Sequence, residues 1–370
     1  MNWQNPNDRK NRRRQKSGLS MEKEKHKQKS IYETLPLELI QRILLRLPVK
    51  QLARLRCVSK LWQSLISDPE FVEYHLHYSP APTHVCLFES DSTEGHFVHL
   101  EQVLNGNNYS IKSVSFPFKK KPPSDFRVMG SCRGFAALFV TPCCLYGFGY
   151  EQSHDDYLVV VASFYRGGQQ RLDCFSLRTN SWINLDFAIT QISLGFFEWK
   201  SCGLFLNGSI HWLSSSLINP YGETLLIFDL KEIIFSKISL PEQLVKCHSP
   251  ELVVLGGCLA FYSRDYGKQK TEIWVMKEYN VQSSWTLYEI PGGYFIPLCL
   301  SNDSDVIALA STSGYRPLKF VKYSTRGELF QQYSCSIDYA NYSVYTESLL
   351  LLPNDSKPKD NNNNKKKNVM

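Results

Sequence analysis

Between Leu35 and Ile66 the apolar positions recur every three or four residues: Leu35, Leu39, Ile43, Leu44 and Leu47, then Leu52, Leu55, Val58, Trp62 and Leu65. That is the period of an α-helix. Pro48 separates the two runs, because proline lacks a donor and pushes the preceding residue out of the helical region. The pattern predicts a first helix opened by Pro36, with Glu38 near the positive end of its dipole, and a second helix carrying Leu52 to Leu65. Asp68-Pro69 has the form of an N-cap with proline at the first helical position, and opens a third short helix through PEFVEYHL. From Pro80 the period changes to short runs rich in β-branched and aromatic residues with turn signals between them. THVCLF, GFAALFV, YLVVVASFY, RLDCFSL, CGLFLNGSIHWL, TLLIFDL, LVVLGGCLAFYS, TEIWVMKEY, VIALAST and LKFVKYS all read as strands.

The strand region carries a loose repeat. Phe175, Phe228, Val275 and Tyr323 take equivalent places at steps of 53, 47 and 48 residues, the length of a four-stranded propeller blade. Trp182 and Trp285 follow such strands at similar distances. The expected fold is mainly β with a small N-terminal α domain, the β part being propeller-like. A double-layer β-sandwich is the alternative, and it predicts no period.

Charge sharpens the division of the chain. The formal net charge of the 370 residues is +7, yet residues 1–30 alone contribute +7 and residues 354–370 contribute +3, which leaves 31–353 at −3. A folded nucleic-acid reader carries its basic charge on the domain surface, so this distribution speaks against one. Residues 1–30 and 354–370 are too poor in apolar residues to repay ordering and are expected to be disordered. RKNRRRQK reads either as a nuclear address or as a solvated charge run. A helical domain over 31–77 and a β-domain over 80–353 remain. No signal-peptide core and no run near the ~20 apolar residues of a membrane span is present, so a soluble, intracellular protein is expected, in the nucleus and/or cytoplasm. The eleven cysteines form no C-x-x-C and are read as small core residues.

No catalytic motif is recognisable: the chain lacks a zinc-protease helix, a nucleophile elbow, a P-loop and a dinucleotide fingerprint. His154-Asp155-Asp156 is the most suggestive polar cluster, and its flanks make it a turn between two strands. Arg133 and Arg264-Asp265 are likewise read as turn residues, and His211 as a histidine of the core or of a strand edge. No catalytic residue, metal or cofactor is expected.

LPLELIQRILLRLPVKQLARLRCVSKLWQSLI closely resembles the F-box, with its opening Leu-Pro, the Ile43-Leu44…Leu47-Pro48-Val49 corner and the Cys57-Val58-Ser59-Lys60…Trp62 run. Downstream, GSCRGF, YGFGYEQSHDDYLVV, LNGSIHWL, IFDL, EIWVMKEY and YTESLLLL resemble, in order, the signatures of the F-box-associated domain of plant F-box proteins. One departure stands out. Members of that family place a strand with a Trp-Asn-Pro-like turn, then Leu-Pro, between the first two signatures; here only AALFVTPCCL intervenes, so an early blade is expected to be incomplete. The resemblance implies a non-catalytic substrate receptor of a Skp–cullin–F-box ubiquitin ligase, with the F-box on a Skp-family adaptor, cullin reached through it, and the β-domain on a target protein. A helical unit this short cannot bury all its apolar residues by itself. Leu35, Pro36, Ile40, Ile43, Leu44, Leu47, Pro48, Leu52, Val58 and Trp62 are therefore the candidate adaptor contacts. The polar stretches 213–223 and 262–271 read either as target-binding loops or as solvated connections, so the target-binding residues stay open. A nucleic-acid-associated protein acting through its basic leader and a carbohydrate- or small-ligand-binding β-domain are the alternative functions.

Overall fold

The computed structural model describes residues 35–351 except 79–83, 89–93, 106–110, 116–126, 140–143, 165–169, 187–201, 217–218, 241–249, 266, 268, 292–293, 302–303, 312–317 and 336–340. The basic leader and the polar tail lie outside the described residues. The chain divides at Leu47–Pro48 into two units. In the first, α1 (Leu37–Leu44) follows Pro36, whose extended ψ of 146° places it at the N-cap. Ile40 and Leu44, four residues apart, are buried, whereas Leu37, Leu39 and Ile43 are exposed.

The second unit begins with α2 (Val49–Leu55), α3 (Lys60–Ile66) and α4 (Pro69–Tyr78). The single helix expected over Leu52–Leu65 is thus two. Ser59 is fully extended, and its hydroxyl accepts from the Trp62 amide at 3.2 Å, which caps a new helix where the apolar period alone would run on. Arg56, just past α2, donates to the Ser67 hydroxyl at 2.6 and 2.9 Å and ties the exits of α2 and α3 together. Asp68 caps α4 as expected, its Oδ1 accepting from the Phe71 amide at 3.0 Å.

The strands form antiparallel meanders. β1 (His84–Phe88), β2 (Glu94–His99) and β3 (Ile111–Ser115) share a sheet with β22 (Asn341–Tyr345), so one blade is assembled from both ends of the domain. α5 (Leu100–Leu104) continues β2. Four further four-stranded sheets follow. The first comprises β6 (Cys144–Glu151), β7 (Asp156–Phe164), β8 (Gln170–Ser176) and β9 (Ser181–Asn184), and the second β10 (Leu204–Leu206), β11 (Ser209–Ser216), β12 (Asn219–Asp229) and β13 (Ile234–Ser239). β14 (Glu251–Leu255), β15 (Cys258–Asp265), β16 (Lys270–Met276) and β17 (Trp285–Pro291) make the third. The last comprises β18 (Phe295–Leu300), β19 (Val306–Ser311), β20 (Leu318–Tyr323) and β21 (Leu329–Cys335). Phe175, Phe228, Val275 and Tyr323 all lie in third strands, and Trp182 and Trp285 in fourth strands, so the expected repeat is that of the blades.

First strands touch in the order β22, β4, β6, β10, β14, β18. Apolar clusters fill the gaps between sheets and close the ring: Val85, Leu87 and Val98 of the first blade pack with Leu298, Ile307 and Phe320 of the last. This is a propeller-like domain of five four-stranded blades, and the sandwich alternative is set aside. Between the first blade and the β6–β9 blade sits a two-stranded sheet, β4 (Arg127–Cys132) with β5 (Phe135–Phe139). Only residues 140–143 separate β5 from β6, too few to hold two more strands, so this early blade is incomplete, as the shortened sequence foretells.

Two of the signature sequences are explained by contacts between neighbouring blades. In YGFGY, Gly147 has no side chain because Ile210 and Trp212 of the next blade occupy its place: a Cβ there would lie 2.5 Å from Ile210 Cγ2. The Trp212 indole Nε1 donates to the Tyr146 carbonyl at 3.0 Å, and the Gly203 amide donates to the same oxygen at 2.7 Å. Beside Trp212, His211 is fully buried. Its Nδ1 lies 3.1 Å from the Leu204 carbonyl, which can only accept, so Nδ1 carries the proton and Nε2 accepts from the Tyr279 hydroxyl at 2.8 Å.

In GSCRGF, Arg133 occupies the β4–β5 turn with φ of 52°, and Gly134 follows at φ of 87°. A Cβ on Gly134 would lie 2.4 Å from that of Ser348, and the Ser131 hydroxyl donates to the Val344 carbonyl. The hairpin is thereby pressed against the C-terminal strand. From this turn the Arg133 guanidinium lies 3.7 Å from the centroid of the Tyr150 ring and pairs with Glu73 of α4. Arg133 therefore clasps the last helix of the α region to the β-domain.

Two predictions follow from these contacts. Glu73 is about half exposed, so its ion pair contributes under about 1 kcal/mol, whereas the cation–π contact and the packing of the buried guanidinium contribute about 2 kcal/mol. Arg133→Ala should therefore lower the unfolding free energy in urea by about 2 kcal/mol and Glu73→Ala by less than half of that; equal losses would refute this division between the two contacts. Burial lowers the His211 pKa from 6.5 to about 4. The unfolded chain takes up a proton below about pH 6.5 and the folded chain only near pH 4, so up to about 3 kcal/mol of stability should disappear as pH falls through that window. His211→Asn should cost stability at pH 7 and flatten the acid limb of the stability–pH curve; an unchanged acid limb would contradict the assignment.

Candidate interaction surfaces

The candidate adaptor residues separate by exposure. Pro36, Ile43, Pro48 and Val58 are exposed, with 53% of Ile43 and 65% of Val58 open to solvent. Leu35, Leu47 and Trp62 are half-buried. Ile40, Leu44 and Leu52 are buried, and this corrects their reading as contact residues: their apolar side chains are already withdrawn from water within the chain. Helix geometry accounts for the split on α1. Residues 40 and 44 form one stripe and residues 39 and 43 a second about 100° away, so the helix has two apolar stripes and buries one. Leu37, Leu39 and Leu61 are exposed apolar residues absent from the candidate set. The sequence signal for Leu39 is the adjacent pairs Leu39-Ile40 and Ile43-Leu44, which make the apolar face of α1 wider than the stripe it buries.

The polar clusters are committed to structure. Glu151 accepts from the amides of Ser153 and His154 at 2.7 and 2.9 Å, and the His154 ring lies 2.5 Å from its carboxylate. Asp156 accepts from the Arg178 amide at 2.8 Å and from the Ser176 hydroxyl, while Asp155 takes the Arg178 side chain. YEQSHDD is a turn held by its own acids and basic neighbours, as read from its flanks. Arg264 lies within β15 rather than in a turn, and pairs with Glu251 at 2.9 Å. Cys86, Cys132, Cys174 and Cys299 are buried, which pushes their thiols up to about 12 and leaves them protonated. Cys57 and Cys202 are exposed. Among the described residues no group of three or more His, Cys, Asp or Glu is placed to hold a metal ion, and no helix is long and apolar enough to cross a membrane.

The two polar stretches expected as connections are mostly strand. β11 and β12 run as a long hairpin through 209–216 and 219–229, and β15 and β16 take up 258–265 and 270–276. Cross-strand pairing persists at Ser216–Asn219 and at Asp265–Lys270.

Comparison with known proteins adds the identity of both parts. Residues 33–74 match the F-box domain, and residues 131–293 match the F-box associated beta propeller domain. F-box protein CPR1 of Arabidopsis thaliana is 28% identical over 304 residues, covering 68% of this chain and 72% of that protein. An F-box/kelch-repeat protein of the same plant is 28% identical over 322 residues, covering 76% of this chain and 86% of its own length. A putative F-box protein, also from Arabidopsis thaliana, reaches 46% identity over 79 residues, 21% of this chain and 20% of that one. With exposed apolar helices ahead of a bladed domain, and both parts matched in that order, the chain is a plant F-box protein with an F-box-associated β-propeller domain.

Proposed function

We propose that the chain is the substrate-recognition subunit of a Skp–cullin–F-box ubiquitin ligase: its helices bind a Skp-family adaptor, cullin is reached through that adaptor, and the propeller captures a target protein. The observation that carries this reading is the exposed apolar stripe of α1, Leu39 and Ile43, on a helix whose neighbouring stripe, Ile40 and Leu44, is already buried; Leu37 is exposed on the same helix. Val58 and Leu61 offer further apolar surface in the second unit. Exposed branched side chains at this density on short helices are what a partner's apolar groove recovers from water, at about 25 cal/mol per Å². On this reading the chain itself is non-catalytic, ubiquitin transfer is performed by other subunits, and the protein works inside the cell. The reading extends the adaptor set to Leu37, Leu39 and Leu61, keeps Pro36, Ile43, Pro48, Val58, Leu35, Leu47 and Trp62, and assigns Ile40, Leu44 and Leu52 to holding the helices.

Pull-down of a recombinant Skp-family adaptor tests it. Leu39→Asp with Ile43→Asp places two charges in an apolar contact and should weaken retention by about 30-fold or more, equivalent to about 2 kcal/mol. Val58→Asp should weaken it as well, and the variants should keep the wild-type thermal unfolding profile because these side chains are exposed. Failure of the wild-type chain to retain the adaptor, or undiminished retention by the double variant, would overturn the proposal.

A further inference from the structure

The core shared by the β14–β17 and β18–β21 sheets does not close at one end. A cavity of about 180 Å³ opens there, walled by Leu255, Cys258, Val275, Ile290, Leu300 and Val306. The backbone keeps its entrance clear. Gly256 and Gly257, at φ of 59° and 75°, make the β14–β15 turn, and a Cβ on Gly256 would lie 2.9 Å from Leu300 Cδ1. At the rim stand Lys277, after β16, with the hydroxyl-bearing Ser304 and Thr325 from the turns of the next sheet. The Lys277 ammonium lies 5.0 Å from the centroid of the Tyr288 ring, and among the described residues Lys277 is the one charged residue lining the cavity.

Size and charge together select an occupant. An apolar cavity of roughly 150 Å³ takes a ring the size of benzene, whereas whole-ligand pockets usually measure roughly 300–1,000 Å³. The space therefore suits one anchoring side chain of a larger partner, the kind of contact that dominates protein interfaces. A cation and two hydroxyls at the rim of an apolar hole complement a carboxylate beside that anchor. We propose that this cavity is the anchor site for the target: it takes one phenylalanine or leucine side chain from an acidic segment, whose carboxylate pairs with Lys277. The inference rests on the receptor reading above and names the surface by which the propeller captures its target.

The test uses the full-length chain and fluorescence anisotropy. The probes are a fluorescein-labelled heptapeptide with a central phenylalanine flanked by aspartates and its twin flanked by lysines. The acidic peptide should bind and its twin should not; Lys277→Gln should weaken binding about five- to tenfold, and Cys258→Phe, which fills the cavity, should abolish it. Equal binding of the two peptides, or unchanged binding by Lys277→Gln, would overturn the proposal even if Cys258→Phe failed to fold. Displacement of the peptide by 3-phenylpropionate at lower concentrations than by unlabelled peptide would assign the cavity to a small ligand and likewise overturn it. Adaptor retention, measured on the same variants, should be unchanged. For the wild-type chain, no binding of the acidic peptide with adaptor retained would sink only the anchor site, and failure to retain the adaptor would sink the receptor reading.

Discussion

Closure of the ring is the constraint on which the rest of the molecule depends. A row of blades has two ends, each with unpaired backbone groups and an uncovered apolar face, and water satisfies only the first of these. The chain removes both ends at once by pairing β22 with β1, so that residues some 250 positions apart in the sequence complete one sheet. Val85 and Leu87 are then buried against the last blade, with Val98 and Phe320 in the same cluster. The YTESLLLL signature belongs to this closure. Val344 accepts from Ser131, and Ser348 fills the place where Gly134 would carry a Cβ, so the closing segment also seats the GSCRGF hairpin. That hairpin in turn presents Arg133 to Glu73 of α4. Anything that loosens the last strand should therefore be felt at the helices as well as in the ring.

The incomplete second blade shows which strands such a ring requires. β4 touches both β22 and β6, so the innermost position is filled, and β5 backs it. What four residues between β5 and β6 cannot supply is the outer half of the blade. The inner strands carry the contacts between blades, where Gly147 admits Ile210 and Trp212 and where Tyr146 accepts two hydrogen bonds. Outer strands contribute less: β9 is exposed along its whole length and β3 nearly so, while β13 buries Phe235 alone. A deletion confined to the outer half removes little buried apolar area, and for that reason the neighbouring blades can keep their register around it.

The same difference sets how much of the fold was legible in the sequence. Third strands such as RLDCFSL, TLLIFDL and TEIWVMKEY are buried on both faces or alternate cleanly, and their spacing revealed the repeat. IKSVS, IFSKIS and LFQQYSC are outer strands whose residues face mostly water, so neither period nor composition separates them from turns. The break after α2 was hidden for another reason. Val58 and Trp62 continue the apolar period of Leu52 and Leu55, and only the Ser59 hydroxyl, a local capping contact, interrupts the helix. The cavity between the fourth and fifth four-stranded blades was invisible because its lining comes from strands and turns spread over 255–325, which only the packed blades bring together.

The helical surface was legible in kind but not by residue. Counting apolar residues against the small size of the α region shows correctly that some must remain outside, since a short unit lacks the volume to enclose them. Period alone cannot say which. On α1 the two stripes differ by about one residue step, and Ile40 and Leu44 are as apolar as Leu39 and Ile43, yet the first pair is buried and the second exposed. Each stripe also constrains the other. A polar residue at 40 or 44 would uncover the fold, and one at 39 or 43 would be free to appear if water were its permanent neighbour. On the proposed reading, a helix that keeps both stripes apolar presents the exposed one to the adaptor.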